Sequence, residues 1–326
     1  MRRIEKILIL SPLVQTGGPE ALHQLAGSLR RQGLDGQIMY YGGAEDALTV
    51  IEDGVLKSSH SNASHVPEQY RRYEPSVTDR CVLNESVCLV APEVMPADLL
   101  QHTAPARTAI WWLSVDNGLP PGSPLRDANY LHMWLKRPTL NFAQSAYAAG
   151  WLSHHGRPDR WMLGDYTDPN FTQTPACLGT RARQILFNPR KGGEAVQVLQ
   201  PLMPGWTFVP LENMSKQEVR ALMQQSRYYI DFGHHPGKDR LPREAAASGC
   251  VVLTLRAGAA QFFDDVPLAD VYKFAHADIR NGNLAQTMAK LDVAFEVHWD
   301  AQHRYRSWIR QEQQVFDAQV AAIFGE

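Results

Sequence analysis

Ten residues, His234 to Arg243 (HHPGKDRLPR), bring two histidines, a lysine and two arginines together immediately before EAAASG and the apolar run CVVLTL. Pro242 suits the first turn of a helix, Gly249 suits its end, and the alanines between them let that helix lie close on a sheet. Cations placed before a helix start add to the positive end of its dipole instead of opposing it. Such an arrangement asks for an anion, and His234, His235, Lys238 and Arg240 are the residues that would meet it. Glu244, in the first turn, has two readings: a favourable dipole residue, or an acceptor for ribose hydroxyls.

Two other loops could serve the same ligand. In FNPRKGG, Arg190 and Lys191 follow the apolar run ILF and stand ahead of a helix expected to begin near Glu194. An arginine fork and a lysine point charge there suit a diphosphate. Gly17 and Gly18 lie between the apolar ILIL and the amphipathic PEALHQLAGSLRRQG, where glycine permits close backbone approach and the helix start favours negative charge. The GxGxxG fingerprint is absent, which counts against a dinucleotide. Asp116, closing the apolar WWLSV, reads either as a general base or acceptor-positioning group, or as turn chemistry with Asn117 and Gly118. His235 is the other candidate for a catalytic contact. Asp165 and Asp168 read as turn or cap residues, His23 as a satisfied histidine between domains, and His154 and His155 lack a metal-ligand partner. No metal-ligand spacing, GxSxG elbow or Cys/His nucleophile pattern is present.

The elements that must position these residues follow a β/α rhythm. ILIL (7–10) is a continuous apolar run of the kind found in parallel strands covered on both faces. The helix after it carries Leu22, Leu25, Ala26 and Leu29 on one stripe, stops at Gly33, and leads into QIMYY. SVCLVAPEV and RTAIWW read as further strands, and residues 52–80 as irregular surface structure. The rhythm restarts at RQILF and continues through WTFVP, a helix opened by the Ser215–Glu218 capping box, RYYIDF and CVVLTL. One or two polar helices close the chain. The pattern predicts an α/β protein with two doubly wound Rossmann-like domains facing a cleft: 1–145, 146–300, and a C-terminal helix over 301–326 that packs back on the first. NFAQSAYAAGWL is the expected hinge.

Composition narrows the function. A chain of 326 residues, 44% hydrophobic and 20% charged, has enough apolar material for two globular cores. Thirty-two basic against 34 acidic residues leave a net charge of −2, so no general nucleic-acid field exists and any anion site must be local. Cys88 and Cys250 sit in apolar runs and read as buried reduced thiols. No stretch approaches the roughly 20 apolar residues of a membrane span, and the expectation is a cytoplasmic protein. ANYLHMWLKR reads as a core helix, with contact to a membrane surface as the alternative.

Three segments, TGGPEALHQLAGSLRRQG, FNPRKGG and RLPREAAASGCVVLT, resemble the GT-B glycosyltransferases, in particular the retaining group that uses nucleotide-diphosphate sugars. That resemblance implies that Gly17 and Gly18 approach the donor phosphates, Arg190 and Lys191 grip them, and Glu244 holds the ribose. It implies a first domain for the acceptor and a second for the donor. It also implies a glycan or lipid-linked acceptor in bacterial surface polysaccharide synthesis, at the inner face of a membrane where that acceptor is lipid-linked. The group's second glutamate, eight positions before Glu244, is replaced here by Pro236, so His235 or Lys238 would stand in. With Arg190, Lys191, Lys238 and Arg240 on the diphosphate, no metal or other cofactor is required. The rival expectations are a binding module of the same fold without catalysis, and a nucleotide-sugar epimerase.

Overall fold

The computed structural model describes residues 3–42, 49–59, 62–95, 100, 102–119, 126–135 and 140–325. The chain divides into two compact units, Met1–Tyr166 with Gln314–Glu326, and Thr167–Gln313.

The first unit is built on strands β1 (Lys6–Pro12), β2 (Gly36–Tyr41), β5 (Ser76–Val77), β7 (Val87–Pro92), β8 (Arg107–Trp112), β9 (Leu140–Ala143) and β10 (Trp161–Met162). They form one sheet in the order β10-β9-β8-β7-β1-β2-β5, and every pairing is parallel. Successive residues of a strand face opposite sides. Ile7 and Ile9 therefore join Leu22, Leu25 and Leu29 of α1 (Gly17–Arg31), whereas Leu8 and Leu10 pack with Met39, Leu56 and Trp112 on the other face. Burial on both faces is why the strand reads ILIL. Residues 49–82 contribute what the polar sequence concealed: an antiparallel sheet of β3 (Thr49–Glu52), β4 (Val55–Ser58) and β6 (Arg80–Val82). Strands of three or four residues leave too little alternation to be read.

The segment expected as a hinge lies inside this unit. Asn141 and Phe142 belong to β9, and Ser145 caps α2 (Ala146–His154) by accepting from the Ala148 amide at 3.0 Å. The chain leaves the unit at Tyr166, about twenty residues after the expected boundary, because β10 still pairs with β9. The helix expected over ANYLHMWLKR spans Ala128–Leu135; Lys136 and Arg137 lie outside the described residues.

The second unit carries β11 (Ala182–Phe187), β12 (Thr207–Pro210), β13 (Ser226–Asp231), β14 (Val251–Leu255) and β15 (Lys273–Phe274), all parallel, in the order β12-β11-β13-β14-β15. The crossovers are α3 (Pro189–Leu199), α4 (Lys216–Gln225) and α5 (Arg240–Ala247). The Ser215–Glu218 capping box opens α4 as the sequence predicts. Ala245, Ala246 and Ala247 are buried, and Gly249 ends the turn at φ +96°, a conformation that favours glycine. From residue 283 the tail holds three helices, not one or two: Asn283–Val293, Phe295–Ala301 and the long α6 (His303–Phe324), whose residues 303–313 belong to this unit and 314–324 to the first.

Candidate functional site

In the second sheet the chain runs from β11 outward to β12 and then crosses to β13 on the other side of β11. The carboxyl ends of β11 and β13 therefore flank the point where strand order reverses, the place where open parallel sheets bind ligands. A cavity of about 630 Å³ opens here, lined among others by Arg190, Lys191, Gly193, His234, His276 and Arg280.

Arg190 and Lys191 reach it from a helix, not from a loop. Asn188 is the N-cap of α3, its Oδ1 accepting from the Arg190 amide at 3.0 Å, and Pro189 occupies the first turn. The helix thus begins five residues before the expected start near Glu194, and the positive end of its dipole lies at the cavity, although Asn188 accepts from the amides of Arg190, Lys191 and Gly192. An asparagine followed by proline was the available signal, obscured by the glycines after it. Gly233 is required beside Lys191: a Cβ there would lie 2.6 Å from the Lys191 Cβ and carbonyl oxygen.

The cations of the second segment are less exposed to a ligand than their sequence suggests, because carboxylates pair with most of them. Lys191 Nζ lies 2.5 Å from Asp239 Oδ2 and donates to the His234 carbonyl at 3.3 Å. Arg243 is 1% exposed; its Nη1 meets both oxygens of Glu312 at 3.0 Å, and its Nη2 donates to the Lys238 carbonyl at 2.8 Å. The Lys238 ammonium lies 3.6 Å from Glu312 and 4.4 Å from the centre of the Trp308 ring. Glu312 also accepts from the amide and hydroxyl of Thr167, each at 2.8 Å. Lys238, Arg240 and Glu244 do not line the cavity; Glu244 is buried in the first turns of α5. Of the predicted group, Arg190, Lys191 and His234 are the ones brought to it.

His235 departs furthest from expectation. It is 1% exposed, and its ring stands between two carboxylates, Nε2 at 3.4 Å from Asp231 and Nδ1 at 3.2 Å from Asp239. A group so enclosed is not placed to touch a substrate. Burial alone would lower the affinity of His235 for its proton. The nearby carboxylates of Asp231 and Asp239 outweigh burial, and the net shift is upward. Burial likewise pushes Asp231 up, yet His235 and Lys191 hold it below the ordinary carboxylate value. Tyr229 donates to the second Asp231 oxygen at 3.1 Å. Asp231, His235 and Asp239 offer donor atoms within 4.8 Å of one another. The carboxylates approach opposite ring nitrogens, so in this arrangement the imidazole itself stands between them.

The first sheet has an equivalent switch point between β1 and β7. Gly17 and Gly18 form the first turn of α1, whose N-cap is Thr16, so Pro19 sits third and not first. Neither glycine has a positive φ, and a Cβ on Gly18 would make only ordinary contact, 3.8 Å from Leu113 Cδ1. Asp116 lies on a one-turn helix (Val115–Gly118), and its two oxygens accept from the Tyr147 hydroxyl at 3.0 and 3.1 Å. Sequence reasoning passed over Glu93. Burial pushes its carboxyl up to about 8, although it accepts from the Leu113 amide at 2.9 Å. Gly118 is required above it, since a Cβ would come within 2.9 Å of Glu93 Cγ. An acid directly after the apolar VCLVAP was the missed signal. His23 is satisfied within this unit, by the Pro19 carbonyl at 2.6 Å and the Tyr40 hydroxyl at 2.9 Å, and burial lowers it to about 4. Asp168 caps a short helix through the Asn170 amide and pairs with Lys216 at 3.2 Å. Cys88 and Cys250 are buried free thiols, pushed by that burial to about 12.

No family model matches the chain, and no curated protein matches it in sequence. Solved structures do match, over nearly the whole length. Sucrose-phosphate synthase from Thermosynechococcus elongatus gives a TM-score of 0.67 at 11% identity, covering 99% of this chain and 98% of that one. Anabaena HepE in complex with UDP-glucose gives 0.70 at 12% identity, over 98% and 99% of the two chains. S. aureus TarM in complex with Fondaparinux, alpha-GlcNAc-glycerol and UDP gives 0.67 at 8% identity, over 99% and 100%. These are GT-B glycosyltransferases, and the likeness shows that this chain has their fold: two Rossmann-like α/β units. Among the described residues no helix is long and apolar enough to cross a membrane.

Proposed function

We propose that the protein is a glycosyltransferase that moves a sugar from a nucleotide-diphosphate donor to a glycan or lipid-linked acceptor. The observation that carries the reading is the cavity at the switch point of the second sheet, headed by the amino end of α3 with Arg190 and Lys191 on its wall. The positive end of a helix dipole, an arginine fork and an ammonium meet there on a space of nucleotide size, and a diphosphate is the anion that fits. HepE was solved with UDP-glucose and TarM with UDP, which supports the same class of donor. Negative charge grows on the diphosphate as the glycosidic bond to it breaks. Groups already oriented toward it stabilise that leaving group without reorganising.

In this reading the second unit holds the donor and the first unit the acceptor. Gly17 and Gly18 leave room for phosphate at the start of α1. Asp116, oriented by Tyr147, accepts the proton of the acceptor hydroxyl. Arg190 and Lys191 supply the charge a metal would otherwise provide, so transfer proceeds without one. The cellular setting is bacterial surface polysaccharide synthesis in the cytoplasm, at the membrane face where the acceptor is lipid-linked.

Pro236, standing where the resembling group has its second glutamate, favours a second reading: a module that binds the donor without transferring it. A panel of UDP-, GDP-, CMP- and dTDP-sugars separates the readings, with nucleotide release measured with and without glycan acceptors. Release that depends on an acceptor is the expected result. A ligand-induced rise in melting temperature without release favours the module, and conversion of the sugar with no acceptor present identifies an epimerase. The absence of both binding and turnover with every donor removes the proposal.

A further inference from the structure

We propose that His235 is the positioning residue of this diphosphate site: by bridging Asp231 to Asp239 it fixes Lys191 against the cavity and cancels carboxylate charge that would repel an anion. The inference rests on the diphosphate reading and adds to it a part that no cavity-lining residue plays.

Three observations carry it. First, Asp239 is the N-cap of α5, yet its side chain makes no cap bond. It holds Lys191 Nζ at 2.5 Å and His235 Nδ1 at 3.2 Å instead. Second, the backbone of His235 is clamped where it stands. Its carbonyl accepts from the Ala259 amide at 2.8 Å, and Gly258, at φ +56°, leaves room that a Cβ would close to 1.9 Å. Third, carboxylates from two elements face the ring, Asp231 of β13 and Asp239 at the cap of α5, and the charge of Lys191 from α3 also reaches it. Tyr229 bonds Asp231, Glu244 acts on Tyr229, and Tyr305 of α6 acts on the two carboxylates.

Charge decides the consequence. Asp231 and Asp239 contribute two negative charges, and Lys191 and protonated His235 two positive ones, so the four side chains together are neutral. When His235 loses its proton the group becomes a net anion beside the phosphate site. Lys191 is then bound more firmly by Asp239 and less available to a ligand. The neighbouring carboxylates keep His235 protonated above its ordinary value of 6.5. Anion affinity is therefore full below that value and falls as pH rises through the raised one.

Calorimetric titration with UDP tests this from about pH 7 to about pH 9, above the ionisation of a terminal phosphate near about pH 6; inorganic pyrophosphate, which itself loses a proton within that range, serves at neutral pH as a probe without a base. The wild-type protein should lose affinity as pH rises. His235→Gln should bind about tenfold or more weakly at neutral pH, with a flat profile, the scale of one charge-assisted contact. Asp231→Asn combined with His235→Gln restores neutrality and should recover most of the loss. A flat wild-type profile needs no variant to read and overturns the inference. A double variant no better than His235→Gln also overturns it, because a structural role alone predicts that outcome. If the wild-type protein binds UDP and pyrophosphate and Arg190→Ala weakens both while His235→Gln changes nothing, this inference fails and the diphosphate reading stands. If the wild-type protein binds neither probe, both fail.

Discussion

The two sheets reverse their strand order in the same way, yet their switch points carry opposite chemistry. At the second, β11 runs into Asn188-Pro189-Arg190-Lys191 and β13 into Asp231 and the two histidines. At the first, β1 leads to Gly17 and Gly18, and β7 runs into Glu93, whose carboxyl is pushed toward neutrality by burial. The same reversal of strand order thus supplies one edge with paired charge around a cavity and another with small residues and a buried acid pushed up to about 8. The fold sets where ligands can sit, and the loop residues decide what can sit there.

The contrast can be broken at its extremes. The largest effect is expected at Arg243, buried with Glu312 and anchored by the Lys238 and Asp239 carbonyls. Arg243→Ala leaves a buried carboxylate short of its partner and should cost about 3–5 kcal/mol in urea unfolding. A loss below about 1 kcal/mol would mean that the charge network of the second unit does not hold it together.

Glu93 sharpens the other side. Its folded value of about 8 lies above the ordinary 4.5, so between those values the native state keeps a proton that the unfolded chain releases. Stability should therefore fall as pH rises through that window, by at most roughly 1.4 kcal/mol per pH unit and about 2–4 kcal/mol in all. Glu93→Gln, which cannot ionise, should flatten that component of the stability profile between about pH 5 and pH 8. An unchanged slope would show that Glu93 is ionised in the native protein and that the first edge is as charged as the second.

Sequence and structure agree where the signal is local. The ILIL and CVVLTL strands, the Leu22–Leu25–Leu29 stripe and the Ser215–Glu218 box are all present. The disagreements share a cause: partners distant along the chain. Lys238 and Arg243 read as cations in want of an anion because Glu312, about seventy residues on, gave no sign of standing beside them. His235 read as a ligand contact because its spacing from Asp231 and Asp239, four residues on either side, did not announce that it would be enclosed between them. Arg190 and Lys191 were legible from position alone, since any residue just beyond a central parallel strand lies at a ligand-binding edge.

The central claim is that the cavity headed by α3 receives a nucleoside diphosphate, and calorimetric titration of UDP into the wild-type protein and into the Arg190→Ala, Lys191→Ala double variant tests it most directly. The account predicts measurable binding to the wild-type protein and a loss of about 2 kcal/mol, roughly thirtyfold, in the variant. Equal affinities in the two proteins would contradict it.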